Sequence, residues 1–583
     1  MRDFARHTVY CNGIKPKERT NGEKYLILEH DETAEDRNVC IKLNNFVSSV
    51  YKLDNRLKDL LEIAGYIYAA DRKTYRGNED DLEYHSWSRD FHFHIGVRDV
   101  NFWETADVKR LLKNALCFMS GDHNYDFTFY ETGIDYPTNI FDNENFIIET
   151  PDNLQVALFS GGIDSLAGII DLLETTNAEI CLVSHQSGQP GVIKTQRDLC
   201  DAIKNYYPNR CSHYKFCCNF SKDNARDETQ RTRSFLYTSI AFAIAKTYNQ
   251  KCIHVYENGI TSINFAETQD LMNGRSSRTT HPQTIRLLEK LFSKIAGDEF
   301  SIKNPFVLKT KTEVIEVIKK HNRLELLDSS VSCSTTRNHP QGFTHCGICS
   351  QCIDRKFAVF AAEVEEYDGN HLYHYDFLQN DLEDDETKKS LTEYIRLAQE
   401  FAQQNIDGFY TERGSEIVDV VEYIDGETDQ EKIENVYNLC QRHAAQITKA
   451  ITRMRNLYDS PLTPYKPKSF FNLIIRPREY QKGDEKPDKA IVEENEIPSK
   501  GLKRLVKEAC ESFVENGTII EVINETKKNR RLSELIVKKL KKDRYKITKK
   551  NENTISDYLR KYEVRIKKEK NGKLVVVESR RRR

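Results

Sequence analysis

Between Leu154 and Gly168 the chain reads LQVALFSGGIDSLAG, and this stretch limits the fold more than any other. An apolar run stops at Ser160-Gly161-Gly162, and a helical pattern begins at once. A strand that ends in small residues and feeds a helix leaves backbone N–H groups pointing outward. The amides and dipole of a helix N-terminus favour an anion there. Gly161 and Gly162 let the backbone wrap closely, because no Cβ intrudes. Ser160 and Ser165 add hydroxyl donors. Asp164 is unfavourable beside bare phosphate unless it holds a magnesium ion or caps the turn. The stretch lacks the G-x-x-x-x-G-K-[ST] spacing and its lysine, so it is not the usual NTPase loop.

The residues that follow alternate short apolar strands with helices. QVALF, EICLVSH, HYKFCC and KCIHVYE read as strands; SLAGIIDLLE, VIKTQRDLCDAIKNYY, RSFLYTSIAFAIAKTY and KTEVIEVIKKH read as helices. This alternation predicts an α/β fold, a doubly wound and mostly parallel sheet over about 151–378. Ligands of such sheets sit beyond the carboxyl ends of the strands, where LFSGGIDS lies.

At 583 residues the chain has room for roughly three or four domains. Residues 1–150 read as an N-terminal α/β unit. FHFHIGVRDV and YDFTFYE alternate as strands, and the helix between them carries Val108, Leu111, Leu112 and Ala115 on one face. His85, His92 and His94 cluster, and His92 and His94 would share one strand face, but no third ligand joins that pair, which favours a structural role. Residues 379–479 read as helical and 480–500 as a charged linker. Residues 501–583 read as helices followed by a hairpin around Asn571-Gly572, similar to a winged helix domain.

From Lys500 onward 27 Lys/Arg face 12 Asp/Glu, a charge of +15, which leaves −18 on the rest of a chain of net charge −3. A basic tail of this kind can meet nucleic acid or an acidic protein surface. No apolar run approaches the roughly 20 residues of a membrane span. MRDFARHTVYCNG has no signal-peptide core, so a cytoplasmic location is expected. The 15 cysteines are then expected as thiols and metal ligands rather than disulfides.

Four of those cysteines form a pattern. Cys346-x-x-Cys349-x-x-Cys352 is tight, and Cys333 lies upstream. Four thiolates close a tetrahedral zinc shell, and a closed shell is structural. An iron–sulfur cluster is the rival occupant.

S-G-G-x-D-S after a strand resembles the PP-loop of the ATP pyrophosphatases. Its pairing with S-C-x₁₂-C-G-x-C-x-x-C-x-x-R resembles the 7-cyano-7-deazaguanine synthases of the queuosine pathway. RTRSFLYTSIAFAIA and NPFVLKTKTEVI are similar to two further segments of that family. The likeness covers about 220 residues. His281-Pro282-Gln283 stands where the family has Tyr-Pro-Asp. The long build, with E-N-G and R-x-T-H-P, is similar to the deazaguanine synthase-like proteins of bacterial antiphage operons, the Qat and type IV CBASS kinds.

The resemblance implies ATP, Mg²⁺ and structural Zn²⁺ as cofactors. It implies ATP contacts from Phe159, Ser160, Gly161, Gly162, Ile163, Asp164, Ser165 and His185. Asp164, Ser165, Lys309 and Lys311 become candidates for the chemistry, and Gln189, Glu257, Asn258, Arg278 and His281 for the substrate pocket. Cys333, Cys346, Cys349 and Cys352 match the zinc ligands. The implied reaction is adenylation of a 7-deazaguanine carboxylate, then amide formation with a protein acceptor encoded nearby. Two alternatives stay open: ammonia as the amine, giving the free nitrile, and modification of nucleic acid gripped by the tail. A non-catalytic ATP-binding scaffold is a third.

Overall fold

The structure is a computed structural model. It describes residues 5–16, 25–30, 34, 37–42, 53–76, 88–133, 153–186, 190–220, 231–265, 278–334, 342–382, 385–458, 466, 468–472, 562–568 and 574–580. The chain divides into two units, Met1–Arg478 and Glu479–Arg583.

The first unit opens with β1 (Ala5–Cys11), β2 (Tyr25–Leu28), β3 (Val39–Lys42) and α1 (Asn55–Lys73). β4 (Arg89–Val97), the short α2 (Val100–Trp103), α3 (Ala106–Ser120) and β5 (Asn124–Glu131) follow. Four of these strands form a parallel sheet in the order β2-β1-β4-β5. Period-2 alternation sends Phe91, Phe93 and Ile95 of β4 inward and leaves His92 and His94 half-buried on the other face. His92 pairs with Arg6 and Thr128, and His94 with Tyr130. Both rings are held in place by neighbours on the sheet; His85 lies outside the described residues.

The strand–helix series then runs β6 (Leu154–Leu158), α4 (Ile163–Thr175), β7 (Glu179–His185), α5 (Pro190–Tyr206), β8 (Cys211–Phe220) and α6 (Arg233–Thr247). It continues with β9 (Cys252–His254), α7 (Gly259–Ile263), α8 (Pro282–Ala296), β10 (Ser301–Lys303), α9 (Lys311–Lys320) and α10 (Ser350–Ala362). The sheet order is β10-β9-β6-β7-β8-β3. Its first five strands are parallel, and β3 pairs antiparallel with β8 at the edge. The expected α/β architecture with a mostly parallel sheet is therefore present. Six of the seven β7 residues are buried, as a strand covered on both faces requires. β3 comes from the first 150 residues, and that region shares one continuous apolar core with this sheet. Asp71 of α1 adds a polar tie: its Oδ2 accepts hydrogen bonds from the backbone N and Oγ of Thr232, the N-cap of α6.

Three longer helices follow among the described residues: α11 (Asp385–Gln403), α12 (Ile406–Val421) and α13 (Asp429–Tyr458). α10 is the wall between layers. Ala358, Val359 and Ala362 pack toward α4 and α9, while Ile353, Phe357 and Phe360 pack toward α11–α13. Burying such Ile and Phe side chains is worth about 1.5–3 kcal/mol each. In the second unit, β11 (Tyr562–Lys568) and β12 (Leu574–Arg580) pair antiparallel. The expected linker, tail helices and Asn571-Gly572 turn lie outside the described residues.

Candidate functional site

Strand order locates the site. β7 and β8 lie on one side of β6, and β9 and β10 on the other. The loops leaving β6 and β9 therefore diverge and open a crevice at their carboxyl ends. The β6 loop carries Phe159–Gly162. On the β9 side the expected strand KCIHVYE leaves the sheet after His254, and Glu257-Asn258 turns into α7.

Gly161 has φ +86°, a left-handed conformation that suits glycine. Gly162, at φ −84°, is the N-cap of α4 and makes no side-chain cap. The first-turn amides of α4 have no carbonyl partner within the helix. Gly162 N donates to Ser160 Oγ at 3.2 Å, Ser165 Oγ donates to Gly162 O at 3.0 Å, and the two hydroxyls stand 3.2 Å apart. The turn is thus tied by its own serines, with its amides and hydroxyls gathered at a helix N-terminus.

Asp164 lies in the first turn of α4 and is 7% exposed. Lys311, the first residue of α9, donates from Nζ to Asp164 Oδ2 at 2.5 Å. The Thr310 capping box fixes the start of α9, and so aims this lysine. Asp164 Oδ1 is buried and, among the described residues, is left without a nitrogen donor, while the Glu257 carboxyl lies against the same carboxylate. Burial alone would lower the Lys311 ammonium, but Asp164, Glu257 and Asp354 together raise it above its ordinary value. Burial, and next the adjacent Asp164 carboxylate, push the Glu257 carboxyl well above the usual range, although part of the residue reaches solvent.

Behind these groups stands Asp354 of α10. Its Oδ1 accepts from Tyr394 Oη of α11 at 2.8 Å. Tyr394 packs edge-on against His443 of α13, with ring centroids 5.7 Å apart. Burial lowers His443, while Asp354 opposes that shift. The helical region thereby reaches the charges at the loop, a link that no sequence pattern announced.

The four cysteines converge. Cys333 Sγ stands 3.8 Å from Cys349 Sγ, and Cys346 Sγ 3.9 Å from Cys352 Sγ; all four lie within 4.8 Å of one another. Thiolates at about 2.3 Å around a tetrahedral ion stand about 3.8 Å apart, so the cluster could hold a metal ion such as zinc. Backbone N–H groups of Ile348 and Cys349 point at Cys346 Sγ, and that of Cys346 at Cys333 Sγ. Gly347, at φ +83°, lies so close to Tyr375 O that a Cβ would stand 1.8 Å away. The helix expected from Cys352 starts two residues earlier, at Ser350, with Cys349 as N-cap.

This cluster braces the glycine turn after β6. Val331 N donates to Gly161 O at 2.9 Å, and Ile163 N reaches Ser332 Oγ at 3.5 Å. Arg355 of α10 is fully buried and holds the same segment through Ser330 O, Ser330 Oγ and Leu327 O.

The other expected residues have the following partners. The His185 ring sits in the core, bonded to Tyr237 Oη at 2.9 Å and to the Cys218 backbone, and burial then Arg233 lower it to about 3. Asn258 is the N-cap of α7 and His281 the N-cap of α8. His281 also packs on Phe118 of α3, and Arg278 lies over the same ring at 4.7 Å. Phe159 is buried, with its ring edge-on to His213. Lys309 closes the turn before α9 through its backbone, whereas Lys311 reaches the loop. Gln189 lies outside the described residues. No protein-family model matches this chain, and no curated protein matches it.

Proposed function

We propose that the protein is an ATP-dependent, adenylating C–N ligase that releases pyrophosphate. The observation that carries the reading is the Asp164–Lys311 pair beneath a glycine turn at the strand-order reversal of a parallel sheet. Backbone amides and serine hydroxyls of residues 160–165 suit the phosphates of a nucleotide. Lys311 supplies a buried positive charge beside them, and the carboxylate it now neutralises is next to the proposed anion.

The neighbouring carboxyl groups of Asp164 and Glu257 fit Mg²⁺, a hard cation that prefers carboxylate oxygens; the ion would displace the proton that Glu257 otherwise keeps. Mg²⁺ supplies charge neutralisation of the phosphates when bound. Zinc is the proposed occupant of the Cys₄ cluster, where it holds the 330–333 segment against the loop.

A carboxylate is a poor electrophile. Attack of its oxygen on the α-phosphorus of ATP expels pyrophosphate and leaves an acyl-adenylate. An amine then displaces AMP and forms an amide. The chain's part is positioning and charge stabilisation. The family resemblance makes a 7-deazaguanine carboxylate the acid, and a protein N-terminus in antiphage defence the amine. The accessory helices and basic tail favour a macromolecular acceptor over ammonia, because ammonia needs no docking surface.

The test is intact-mass spectrometry of a protein encoded next to this one, after co-expression with it. A mass increase equal to a deazaguanine acyl group, lost with Asp164→Ala, is expected. An unmodified neighbour beside accumulating free nitrile returns the protein to small-molecule synthesis.

A further inference from the structure

Gln196, on α5, lies beneath the phosphate loop and is 2% exposed. Its Nε2 donates to Ser160 O at 3.4 Å and to His185 O at 3.3 Å. These carbonyls leave the ends of β6 and β7, so one side chain ties both loops. Only the amide nitrogen can face two carbonyl oxygens, which settles the orientation of the amide.

That orientation leaves Gln196 Oε1 over. It is buried and, among the described residues, has no hydrogen-bond partner. The Gln196 side chain lies beside the left-handed turn: a Cβ on Gly161 would stand 3.5 Å from Gln196 Cγ and 3.2 Å from Thr195 Cγ2. A buried acceptor without a donor is costly unless a donor arrives with a ligand. Ionised phosphates offer no donor. The nucleoside part of a nucleotide offers two kinds, the exocyclic amine of adenine and the ribose hydroxyls. The His185 ring cannot serve this end of the site, because Tyr237 and Cys218 already engage its nitrogens.

Resting on the nucleotide reading of the loop, we propose that Gln196 is a specificity-determining residue whose Oε1 accepts a hydrogen bond from a nucleoside donor. One neutral hydrogen bond to a buried acceptor corresponds to a preference of about fivefold to tenfold.

The experiment is isothermal titration of the full chain with the Mg²⁺ complexes of ATP, ITP and 2′-deoxy-ATP, without the acid substrate. ITP lacks the amine and 2′-deoxy-ATP lacks one hydroxyl, so the weaker analogue names the donor. In wild type one analogue binds about fivefold to tenfold more weakly than ATP. In Gln196→Met the affinity for ATP falls to that of this analogue, whose own affinity is unchanged. In Gln196→Glu, which keeps an acceptor, the ranking survives.

Equal binding of all three nucleotides to wild type overturns the proposal. So does a parallel loss of all three in Gln196→Met, which marks a side chain that only supports the loops. A lost ranking in Gln196→Glu also overturns it, and that variant decides the matter if the Met variant does not fold. Failure of wild type to bind any nucleotide sinks the reading of the loop itself, and this inference with it.

Discussion

Lys311 Nζ meets Asp164 Oδ2 at 2.5 Å, although 147 residues separate them in sequence. Their side chains are 3% and 10% exposed, so each charge depends on the other. Removing one partner strands a charge and costs about 3–5 kcal/mol, whereas removing both costs far less. Lys311→Met and Asp164→Asn are each expected to unfold at markedly lower denaturant, and the double variant to recover much of the loss. All three are expected to lose pyrophosphate release. Additive destabilisation in the double-mutant cycle argues against a coupled pair.

The Tyr394 hydroxyl on Asp354 connects the helical region to the same charges. Tyr394→Phe keeps the ring and its contact with His443 and removes one bond to a carboxylate, worth about 1.5–3 kcal/mol. A loss of that size is expected in chemical denaturation, together with slower ATP-dependent pyrophosphate release. Wild-type stability and turnover in this variant leave α11 a mere packing element.

Acid titration has a definite sign. His185 and His281 are buried and lowered to about 3, below the ordinary value of 6.5. The unfolded chain therefore binds more protons, and stability present above about pH 6.5 is lost as pH falls toward 3. Glu257 runs the other way: its raised carboxyl keeps a proton that the unfolded chain releases above about pH 4.5, so stability falls as pH rises toward its folded value. Thermal midpoints across pH 4–9 are expected to show both limbs. Glu257→Gln flattens the alkaline limb, and His281→Asn, which can still cap α8, weakens the acid one. An unchanged profile in both variants contradicts these assignments.

Metal removal is expected to reach the glycine turn after β6. Segment 330–333 links the cysteine cluster to Gly161 O and Ile163 N. Chelation is expected to release one metal ion per chain and to speed amide hydrogen exchange at residues 160–165 as well as at 342–352. Exchange that rises only around the cysteines separates the two sites.

The parallel sheet, the glycine turn and the cysteine cluster were legible because each rests on local pattern. Strand–helix alternation, S-G-G-x-D-S and C-x-x-C-x-x-C all lie within short windows. Lys311 was legible as a candidate only through a resembling segment; nothing local distinguishes it from Lys309, because the difference lies in which residue the Thr310 cap turns toward Asp164. β3 escaped notice because it is a four-residue edge strand whose partner, β8, lies far along the chain. That Asn258 and His281 are also helix caps was not legible, because the role depends on where α7 and α8 begin. Gln196 and Asp354 carry no motif at all. Their importance comes from two backbone carbonyls in one case, and from a tyrosine 40 residues away in the other.

The most direct measurement is the identity of the phosphorus products formed from Mg²⁺–ATP and a 7-deazaguanine carboxylate, with hydroxylamine supplied as the amine that displaces AMP, read by ³¹P NMR on the full chain. AMP and pyrophosphate in equal amounts, absent with Asp164→Asn, are the predicted result. ADP with orthophosphate, or no nucleotide consumed while the acid is present, contradicts it.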